Sequence, residues 1–260
     1  MDGDLTGTAS TPLPWVLMYH SVERYHTDPY RVTVRPDRLD RQLDWLCRRG
    51  LRGVSMAELL WARRHGADAG LVGLTFDDGY ADFVGEAMLA LARYRFTATV
   101  FVVAGALDGE NYWDRPGPRK TLMSRDDIRC AADAGMEIGS HSLSHVRLPG
   151  LDGRELADQV RRSRRILGEV TGREVMGFCY PYGGVGVREV LAVREAGYDY
   201  ACAVDSSPLT GRYALPRTFI GDRDTAARLF LKRARHRWAA ARAARTSETS
   251  ASWASDGVAR

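Results

Sequence analysis

The fold class is decided by residues 71–79, with the sequence LVGLTFDDG. The first six residues, Leu71–Phe76, are mostly apolar and predict a buried strand, and two carboxylates and a glycine follow it directly. Comparable short apolar runs alternate with segments of helical periodicity over most of the chain. This alternation predicts a parallel sheet, and about seven such units predict an α/β fold: an irregular (β/α) barrel of about seven parallel strands in a single domain.

The other elements follow from the same periodicities and from helix-capping signals. Further strands are predicted over 15–19, 97–103, 136–138, 175–180, 198–204 and 217–220. Helices are predicted over 36–50, after residue 55, and over 81–93, 124–135, 154–170 and 187–196. Ser55 with Glu58, and Ser124 with Asp127, have the spacing of capping boxes, so each serine is expected to begin a helix.

Composition excludes some classes of protein. The 260 residues carry a formal net charge of +4, which is too small to indicate a nucleic-acid partner. Four scattered cysteines without a C-x-x-C pair are typical of free thiols in a reducing compartment. No stretch reaches the roughly 18–20 apolar residues of a membrane span, and the polar N-terminus lacks the pattern of a secretory signal. We therefore expect a cytoplasmic location.

Four segments are predicted along the chain. They are a flexible N-terminus at 1–14, the enzyme domain at 15–222, a basic helical segment at 223–245 and a disordered tail at 246–260. Residues 228–245 contain seven basic side chains and no acid, with Phe230, Ala234 and Trp238 at helical spacing. This segment could make weak contact with anionic lipid headgroups at the inner face of a membrane. Alternatively, it is a helix that packs over the barrel with its basic face in water.

Polar residues suited to chemistry come directly after the predicted strands. They are His20, Asp77, Asp78, His141, Tyr182, Asp205 and Arg217. In parallel β/α barrels the active site lies at the carboxyl ends of the strands. We therefore expect these residues to converge, although they are far apart in the sequence.

The pair of histidines at His141 and His145 predicts a metal site. Two imidazoles and one carboxylate bind zinc or a similar divalent ion and leave a coordination position for water. An H-x-x-x-H pair alone fits a structural role equally well, and Asp-Asp-Gly alone is more often a turn; both motifs at strand ends favour the metal. Because neighbouring side chains of an extended segment diverge, one of Asp77 and Asp78 can bind the metal while the other takes a proton from water.

Three segments resemble the motifs of the NodB-homology polysaccharide deacetylases, which form carbohydrate esterase family four. They are TFDDGY at 75–80, GSHSLSH at 139–145 and FCYPYG at 178–183, and the resemblance covers about 15–222. The resemblance implies a distorted (β/α) barrel. It also implies a metal-dependent hydrolase that removes N-acetyl groups from N-acetylhexosamine residues of a polysaccharide, oligosaccharide or glycoconjugate.

The same resemblance implies a role for each matching residue. Asp77 would be the catalytic base, and Asp78, His141 and His145 would hold one divalent ion. Zinc is the first choice for that ion, with nickel, cobalt and iron as alternatives. The backbone N–H of Tyr182 would help to stabilise the tetrahedral oxyanion, which is usually a large electrostatic contribution in acyl transfer.

The chain departs from the family pattern at two points. Cys179 stands where the third motif often begins with an arginine that orients the base, and the late Leu-x-x-His motif that supplies the general acid is missing. The segment LMYHSV at 17–22 resembles the branch that deacetylates poly-β-1,6-N-acetylglucosamine, in which an early histidine is the acid. His20 is therefore the predicted acid. Likewise, Leu-Pro-Arg at 215–217 predicts that Arg217 contacts the base.

Four further residues are candidates for substrate contact. Trp113 lies in a loop after a strand and could form one wall of a sugar subsite, although packing of the loop is an equal alternative. Tyr80 and Pro181 belong to the motifs, and Asp205 follows a strand. Two other functions stay open at this point: hydrolysis of another non-peptide amide on the same fold, and a non-catalytic carbohydrate-binding relic.

Overall fold

The computed structural model describes residues 13–239, and parallel strands form the centre of this region. The strands are β1 (Val16–Tyr19), β2 (Ser21–Val22), β3 (Thr33–Val34), β4 (Arg52–Val54), β5 (Leu71–Phe76), β6 (Thr99–Val102), β7 (Glu137–Ser140), β8 (Gly177–Cys179), β9 (Tyr200–Cys202) and β10 (Thr218–Phe219). The helices are α1 (Pro36–Cys47), α2 (Met56–Arg64), α3 (Met88–Arg93), α4 (Arg125–Asp133), α5 (Gly153–Thr171), α6 (Val187–Glu195) and α7 (226–239).

Seven strands follow one another around the barrel in the order β10-β1-β5-β6-β7-β8-β9. Every neighbouring pair is parallel, with Leu17 beside Leu74 in β1 and β5. The segment before β10 bridges back to β9, where Leu215 pairs with Cys202 and the Arg217 N–H donates to the carbonyl of Val204. The chain therefore closes the sheet into a barrel, and the predicted fold class is confirmed.

Three strands were not predicted: β2, β3 and β4. β4 pairs with the first half of β5, before β6 begins on the same side. It has only three residues, Arg52–Val54, so it shows no periodicity that sequence reasoning could use. Its central Gly53 is required by close packing, because a Cβ there would lie 2.3 Å from the side chain of Leu74.

The helices begin largely where the capping signals indicate. Ser124 and Asp127 form the predicted capping box at the start of α4. Ser55 caps α2, but Glu58 turns away to pair with Arg52 at 2.6 Å, so only half of that box forms. The predicted helix over 81–93 is a π-helical turn at Phe83–Ala87 that continues as α3.

Helix α7 packs against the start of β1. His236 Nε2 lies 3.1 Å from the carbonyl oxygen of Leu13, and its ring stacks on Trp15. Within residues 13–239 no helix is both long and apolar enough to cross a membrane. Residues 1–12 of the predicted flexible N-terminus, residues 240–245 of the basic segment and the predicted tail at 246–260 lie outside the described residues.

A buried lysine joins β2 and β3 to the turn before α3. Lys120 Nζ donates to Ser21 Oγ at 2.6 Å and to Thr33 Oγ1 at 2.7 Å. Ser21 Oγ in turn donates to the carboxyl of Asp82 at 2.5 Å. Since Ser21 directly follows His20, this network fixes the backbone beside the predicted acid. Burial raises the pKa of Asp82 to about 6.

The Asp82→Asn variant tests this half-buried carboxyl. Because its pKa is raised to about 6 from 3.8, the folded protein keeps the proton to a higher pH than the unfolded chain. The stabilising contribution is full below about pH 4 and is lost as pH rises through about 6, by at most about 3 kcal/mol at about 1.4 kcal/mol per pKa unit. Unfolding free energies from denaturant titrations between pH 4 and 7 should therefore show wild type losing stability relative to Asp82→Asn.

The exposed Asp37, paired with Arg41 on α1, gives the matched control. The Asp37→Asn variant should follow the wild-type pH profile. Parallel profiles for wild type and Asp82→Asn would contradict the raised pKa.

Candidate active site at the carboxyl end of the barrel

A sharp turn after β5 separates the two adjacent carboxylates. Asp78 and Gly79 both have left-handed backbones, with φ of 71° at each. Gly79 is required there, because a Cβ would lie 3.1 Å from Val102 in addition to the strain of positive φ. The turn gives Asp77 and Asp78 different partners, although both side chains are buried.

Asp77 forms a two-point ion pair with Arg217. The Arg217 Nη1 atom donates to Asp77 Oδ1 at 2.6 Å, and Nη2 donates to Oδ2 at 2.7 Å. Arg217 is itself held by Thr75 Oγ1 at 3.0 Å and by the carbonyl of Ala203 at 3.0 Å. Both ends of the pair are therefore fixed in one orientation, as in other two-point arginine–carboxylate contacts.

The charges at this pair determine the protonation of Asp77. Burial alone would raise the pKa of Asp77, but the guanidinium of Arg217 outweighs burial and leaves this pKa below its usual value. For Arg217, burial alone would lower the pKa, and the carboxylate raises it above the usual value. Asp77 is therefore ionised at neutral pH.

Asp78 faces the two predicted histidine ligands. Its Oδ1 atom lies 3.4 Å from His141 Nε2 and 3.1 Å from His145 Nε2. Burial would raise the pKa of Asp78, but the charge of His145 and the closeness of both imidazoles hold it well below its usual value. The candidate ligand atoms of the three residues all lie within 4.8 Å of one another.

This donor set fits a divalent metal. His141 Nδ1 lies 2.9 Å from the carbonyl oxygen of Cys179, so Nδ1 carries the hydrogen and Nε2 presents a lone pair to Asp78. The buried Oδ1 of Asp78 has no aligned hydrogen-bond donor among residues 13–239. Three electron-pair donors that converge on one point are stable together only around a cation, and two imidazoles with one carboxylate suit zinc or a similar ion.

A proton on the imidazole of His141 competes with a metal ion for this site. Burial would lower the pKa of His141, but Cys179 and Asp78 together raise it well above the usual value. Since a ligating imidazole must be neutral, metal binding has to displace this proton. Affinity for metal should consequently fall as the pH falls.

A second cluster shares His141 but fits a metal less well. Asp77, His141 and Cys179 also bring their potential ligand atoms within 4.8 Å of one another. Both oxygens of Asp77 already accept from Arg217, and Arg217 Nη2 also lies 3.0 Å from Cys179 Sγ. Burial raises the pKa of the Cys179 thiol, so it does not supply a ready thiolate.

His20 lies at the end of β1 and faces the same carboxylates. Its positive form would lower the pKa of both Asp77 and Asp78. Its Nδ1 atom is buried without a hydrogen-bond partner among the described residues, and its ring centre lies 6.2 Å from that of Phe219. An unpartnered imidazole nitrogen beside the carboxylates can hold or release a proton for a bound ligand.

Aromatic side chains surround His145. Trp113 stacks on its ring, with centroids 4.4 Å apart, and the Tyr182 hydroxyl lies 3.3 Å from Nδ1. Tyr182 has a left-handed backbone, with φ of 59°. The guanidinium carbon of Arg147 lies 4.5 Å from the centre of the Tyr182 ring. Trp113 therefore packs on a predicted ligand, while Tyr182 stays 46% exposed at the rim of the site.

The remaining predicted substrate contacts lie in different environments. Tyr80 is 1% exposed, and its hydroxyl donates to Asp114 at 2.8 Å. Its side chain is thus a buried support of the loop that carries Trp113, and its contact with substrate stays a prediction. Pro181 is also buried, and its contact with substrate likewise stays a prediction. Asp205 is exposed after β9.

Two residues that position the site were not identified from the sequence. Thr75 donates to the carbonyl of Leu17 and accepts from Arg217. Because Thr75 lies two residues before Asp77 in a strand, the sequence could have indicated that both side chains share one face. Gln159 of α5 holds the turn between the histidines: its Oε1 accepts the N–H groups of Leu143 and Ser144 at 3.1 and 3.0 Å. No local pattern links Gln159 to that turn.

Comparison with known families agrees with this geometry. The family model described as polysaccharide deacetylase matches residues 65–201, more than half of the 260-residue chain. The chain belongs to the polysaccharide deacetylase family. This deacetylase is therefore a hydrolase of a family that acts on acetylated polysaccharides, and the predicted family and enzyme class are confirmed. The family generally uses a divalent metal, which agrees with the Asp78–His141–His145 cluster.

Individual relatives are distant in sequence. YxkH of Bacillus subtilis is 22% identical over 207 residues, which cover 78% of this chain and 69% of YxkH. The poly-beta-1,6-N-acetyl-D-glucosamine N-deacetylase of Staphylococcus aureus is 20% identical over 203 residues, 73% of this chain and 68% of that protein. Among solved structures, the Streptococcus pyogenes deacetylase PplD in complex with acetate superposes with a TM-score of 0.73 at 21% identity, covering 85% of this chain and 99% of that chain. The superposition supports the barrel fold.

The His141→Ala variant tests the metal site. Loss of a residue that only supports a ligand weakens metal binding by up to about 100-fold. Removing His141, one of the three candidate ligands, should therefore weaken zinc binding by at least about 100-fold. Zinc content after equilibration with one equivalent of the ion and gel filtration gives the measurement. His65→Ala, which removes an exposed imidazole stacked on Trp61, should retain wild-type metal. Full occupancy in His141→Ala would remove His141 from the ligand set.

Proposed function

We propose that this deacetylase is a metal-dependent N-deacetylase of N-acetylhexosamine residues in a polysaccharide, oligosaccharide or glycoconjugate. The observation that carries the proposal is the division of the two adjacent carboxylates. Asp77 is held by Arg217, whereas Asp78 faces His141 and His145. A metal-dependent hydrolase needs a base and a Lewis acid side by side to activate water, and the turn at 77–79 supports both.

The proposed metal ligands are Asp78, His141 and His145. A divalent ion bound by them supplies a Lewis acid that polarises the amide carbonyl and acidifies water, with zinc the first choice for this donor set. His141 is oriented for this role by the Cys179 carbonyl, and His145 by Tyr182. Such contacts to the second ring nitrogen fix the tautomer that a metal requires.

Asp77 is the proposed general base. Its carboxylate is ionised at neutral pH because Arg217 lowers its pKa. The guanidinium also fixes the plane of the carboxylate, so proton transfer from the attacking water needs no rearrangement of Asp77. The two N–H groups of Arg217 compete with the proton of water for the oxygens of Asp77, so Asp77 is a weaker base than a free carboxylate. The water that Asp77 deprotonates must therefore be acidified.

The Asp77→Asn variant separates the base from the ligands. It should keep its metal, because Asp78, His141 and His145 remain, and it should lose turnover by roughly 100-fold or more, the usual contribution of a general base. Acetate release from N-acetylglucosamine oligomers and metal content give the two readouts. Loss of metal in Asp77→Asn would mean that the roles of Asp77 and Asp78 are exchanged.

His20 is the proposed general acid. The departing amine is a poor leaving group unless it is protonated, so collapse of the tetrahedral intermediate needs a proton donor near the nitrogen. The half-buried His20 lies beside the carboxylates with an unpartnered Nδ1. His236 lies at the opposite end of the barrel, where it contacts Leu13 and Trp15 before β1.

A leaving-group comparison tests His20. The His20→Ala variant should keep its metal and fold but lose about 100-fold or more in activity on N-acetylglucosamine oligomers. An aryl acetate ester needs little protonation of its leaving group, so its hydrolysis should fall much less. Equal losses on both substrates would instead give His20 a positioning role, and near-normal activity on both would place the acid elsewhere.

The backbone N–H of Tyr182 is the proposed partner of the metal in stabilising the oxyanion. Tyr182 follows β8 at the carboxyl end of the barrel, close to His145. A backbone N–H in a rigid turn can be aimed at the developing charge without reorganisation. The Staphylococcus aureus relative is a poly-beta-1,6-N-acetyl-D-glucosamine N-deacetylase, which supports an N-acetylated aminosugar as the acyl donor.

The predicted membrane contact of the basic segment stays a prediction. Phe230 of α7 is 59% exposed and Trp238 is 62% exposed. Both side chains are large enough to enter the headgroup region beside the basic residues.

A further inference from the structure

A basic groove opens beside the candidate active site. It encloses about 540 Å³ between α7, the loop that joins β2 to β3, and the chain after β10. We call it the α7 groove. Phe219 at the end of β10 lines it, and the same ring lies beside His20. Because β1 and β10 are parallel neighbours, both end at the face that carries the carboxylates, so the α7 groove extends from the site itself.

One face of α7 lines the groove. It carries Arg228, Leu231, Lys232 and Arg235, which have the i, i+3, i+4, i+7 spacing of a single helical face. Arg237 lies about 180° around the helix from Arg228, at about 100° per residue, and does not line the groove. The helix therefore offers cations both inside and outside the groove.

The acidic side chains of the groove are already engaged within the protein. Asp28 accepts two backbone N–H groups at 3.1 and 2.8 Å. Asp222 pairs with Arg35 at 3.1 Å, and Asp224 pairs with Lys232 at 2.6 Å. These carboxylates stabilise the walls and leave little free negative charge toward the groove.

Four arginines of the groove are not engaged in this way. Their side chains form no hydrogen bond or ion pair with another residue of the 13–239 region, and all four are exposed: Arg31, Arg223, Arg228 and Arg235. Five basic and three acidic lining residues give a formal excess of two positive charges. Several unpaired guanidinium groups around one concavity match phosphate or carboxylate oxygens, which they bind through paired N–H donors.

We propose that the α7 groove binds acidic groups, phosphate or carboxylate, on the saccharide that continues from the reacting N-acetylhexosamine. The proposal rests on the proposed function for the position of that sugar beside His20. From there the next sugars pass the ring of Phe219, which offers an apolar face for stacking, and reach the arginines. The preferred substrate is therefore an acidic glycan rather than a neutral one.

An anionic lipid surface is the competing ligand for these cations. A membrane-binding helix turns its apolar face toward the lipid, so the bilayer contacts the side of the helix that carries its large apolar residues. Here Phe230 lies about 160° around the helix from Arg228, at about 100° per residue, while Arg228 and Arg235 face a concave wall. The geometry thus favours a saccharide that enters the groove.

Kinetics on matched substrates test the proposal. The substrates are an N-acetylglucosamine pentamer and the same pentamer with one phosphate ester, placed on either terminal sugar. The single variants Arg228→Glu and Arg235→Glu should each raise KM at least fivefold for one phosphorylated isomer at low ionic strength. They should leave kcat unchanged, and KM for the unmodified pentamer should stay within twofold of wild type. Arg237→Glu makes the same charge change on the opposite side of α7 and should alter neither KM.

Two kinetic results would overturn the groove assignment. One is an equal rise of KM in Arg237→Glu, which would show a general charge effect. The other is a wild-type enzyme that hydrolyses the three pentamers with equal kcat/KM. Loss of binding to phosphatidylglycerol vesicles in the groove variants, without any change on the pentamers, would assign the cations to a lipid surface and also reject the proposal.

Calorimetric titration of the phosphorylated pentamers separates this proposal from the proposed function. If no pentamer releases acetate but Arg228→Glu still weakens binding at least fivefold, the proposed function fails and the groove assignment stands. If acetate is released but binding is the same for wild type and both variants, the proposed function stands and the groove assignment fails.

Discussion

The buried ion pair between Arg217 and Asp77 is the contact on which the site depends. Its side chains are 0% and 4% exposed, and it joins residues 140 positions apart. A charge buried at this depth is tolerated only with its partner, and removing one member of such a pair typically costs about 3–5 kcal/mol. The pair therefore couples closure of the barrel to the electrostatics of the proposed base. Because the pair occupies both oxygens of Asp77, the second carboxylate, Asp78, is left as the candidate ligand.

Cys179 and Arg217 depart from the usual family pattern together, and the structure explains why. Cys179 Sγ lies 3.0 Å from Arg217 Nη2 and 3.6 Å from Asp77 Oδ2. A guanidinium at position 179 would place two cations against one carboxylate in a volume that now holds a thiol. The small neutral side chain at 179 thus leaves room for the guanidinium of Arg217, which reaches Asp77 from the segment before β10. One change without the other would leave either a buried charge without a partner or a base without an orienting group.

The sequence predicted the parts of this molecule that rest on local pattern. The strand Leu71–Phe76 and the capping box of Ser124 have short-range signals, and the structure has both. Convergence of the strand-end residues followed from the topology of parallel barrels. What sequence reasoning missed depends on long-range packing. Residues distant in the sequence determine the contacts of Gln159, the burial of Tyr80 and the pairing of β4. No local periodicity in the sequence indicates any of the three.

The order of the site residues along the chain has a consequence for the nascent protein. The three candidate ligands have all been synthesised once the ribosome has passed His145, whereas Arg217 comes 72 positions later, as their residue numbers show. A chain stalled between these points could present its imidazoles, but its base would lack the guanidinium that fixes it. Premature termination in that interval would therefore yield a fragment that carries the three candidate ligands without the guanidinium of Arg217. Catalytic competence would appear only when the last strand has left the exit tunnel and entered the gap between β9 and β1.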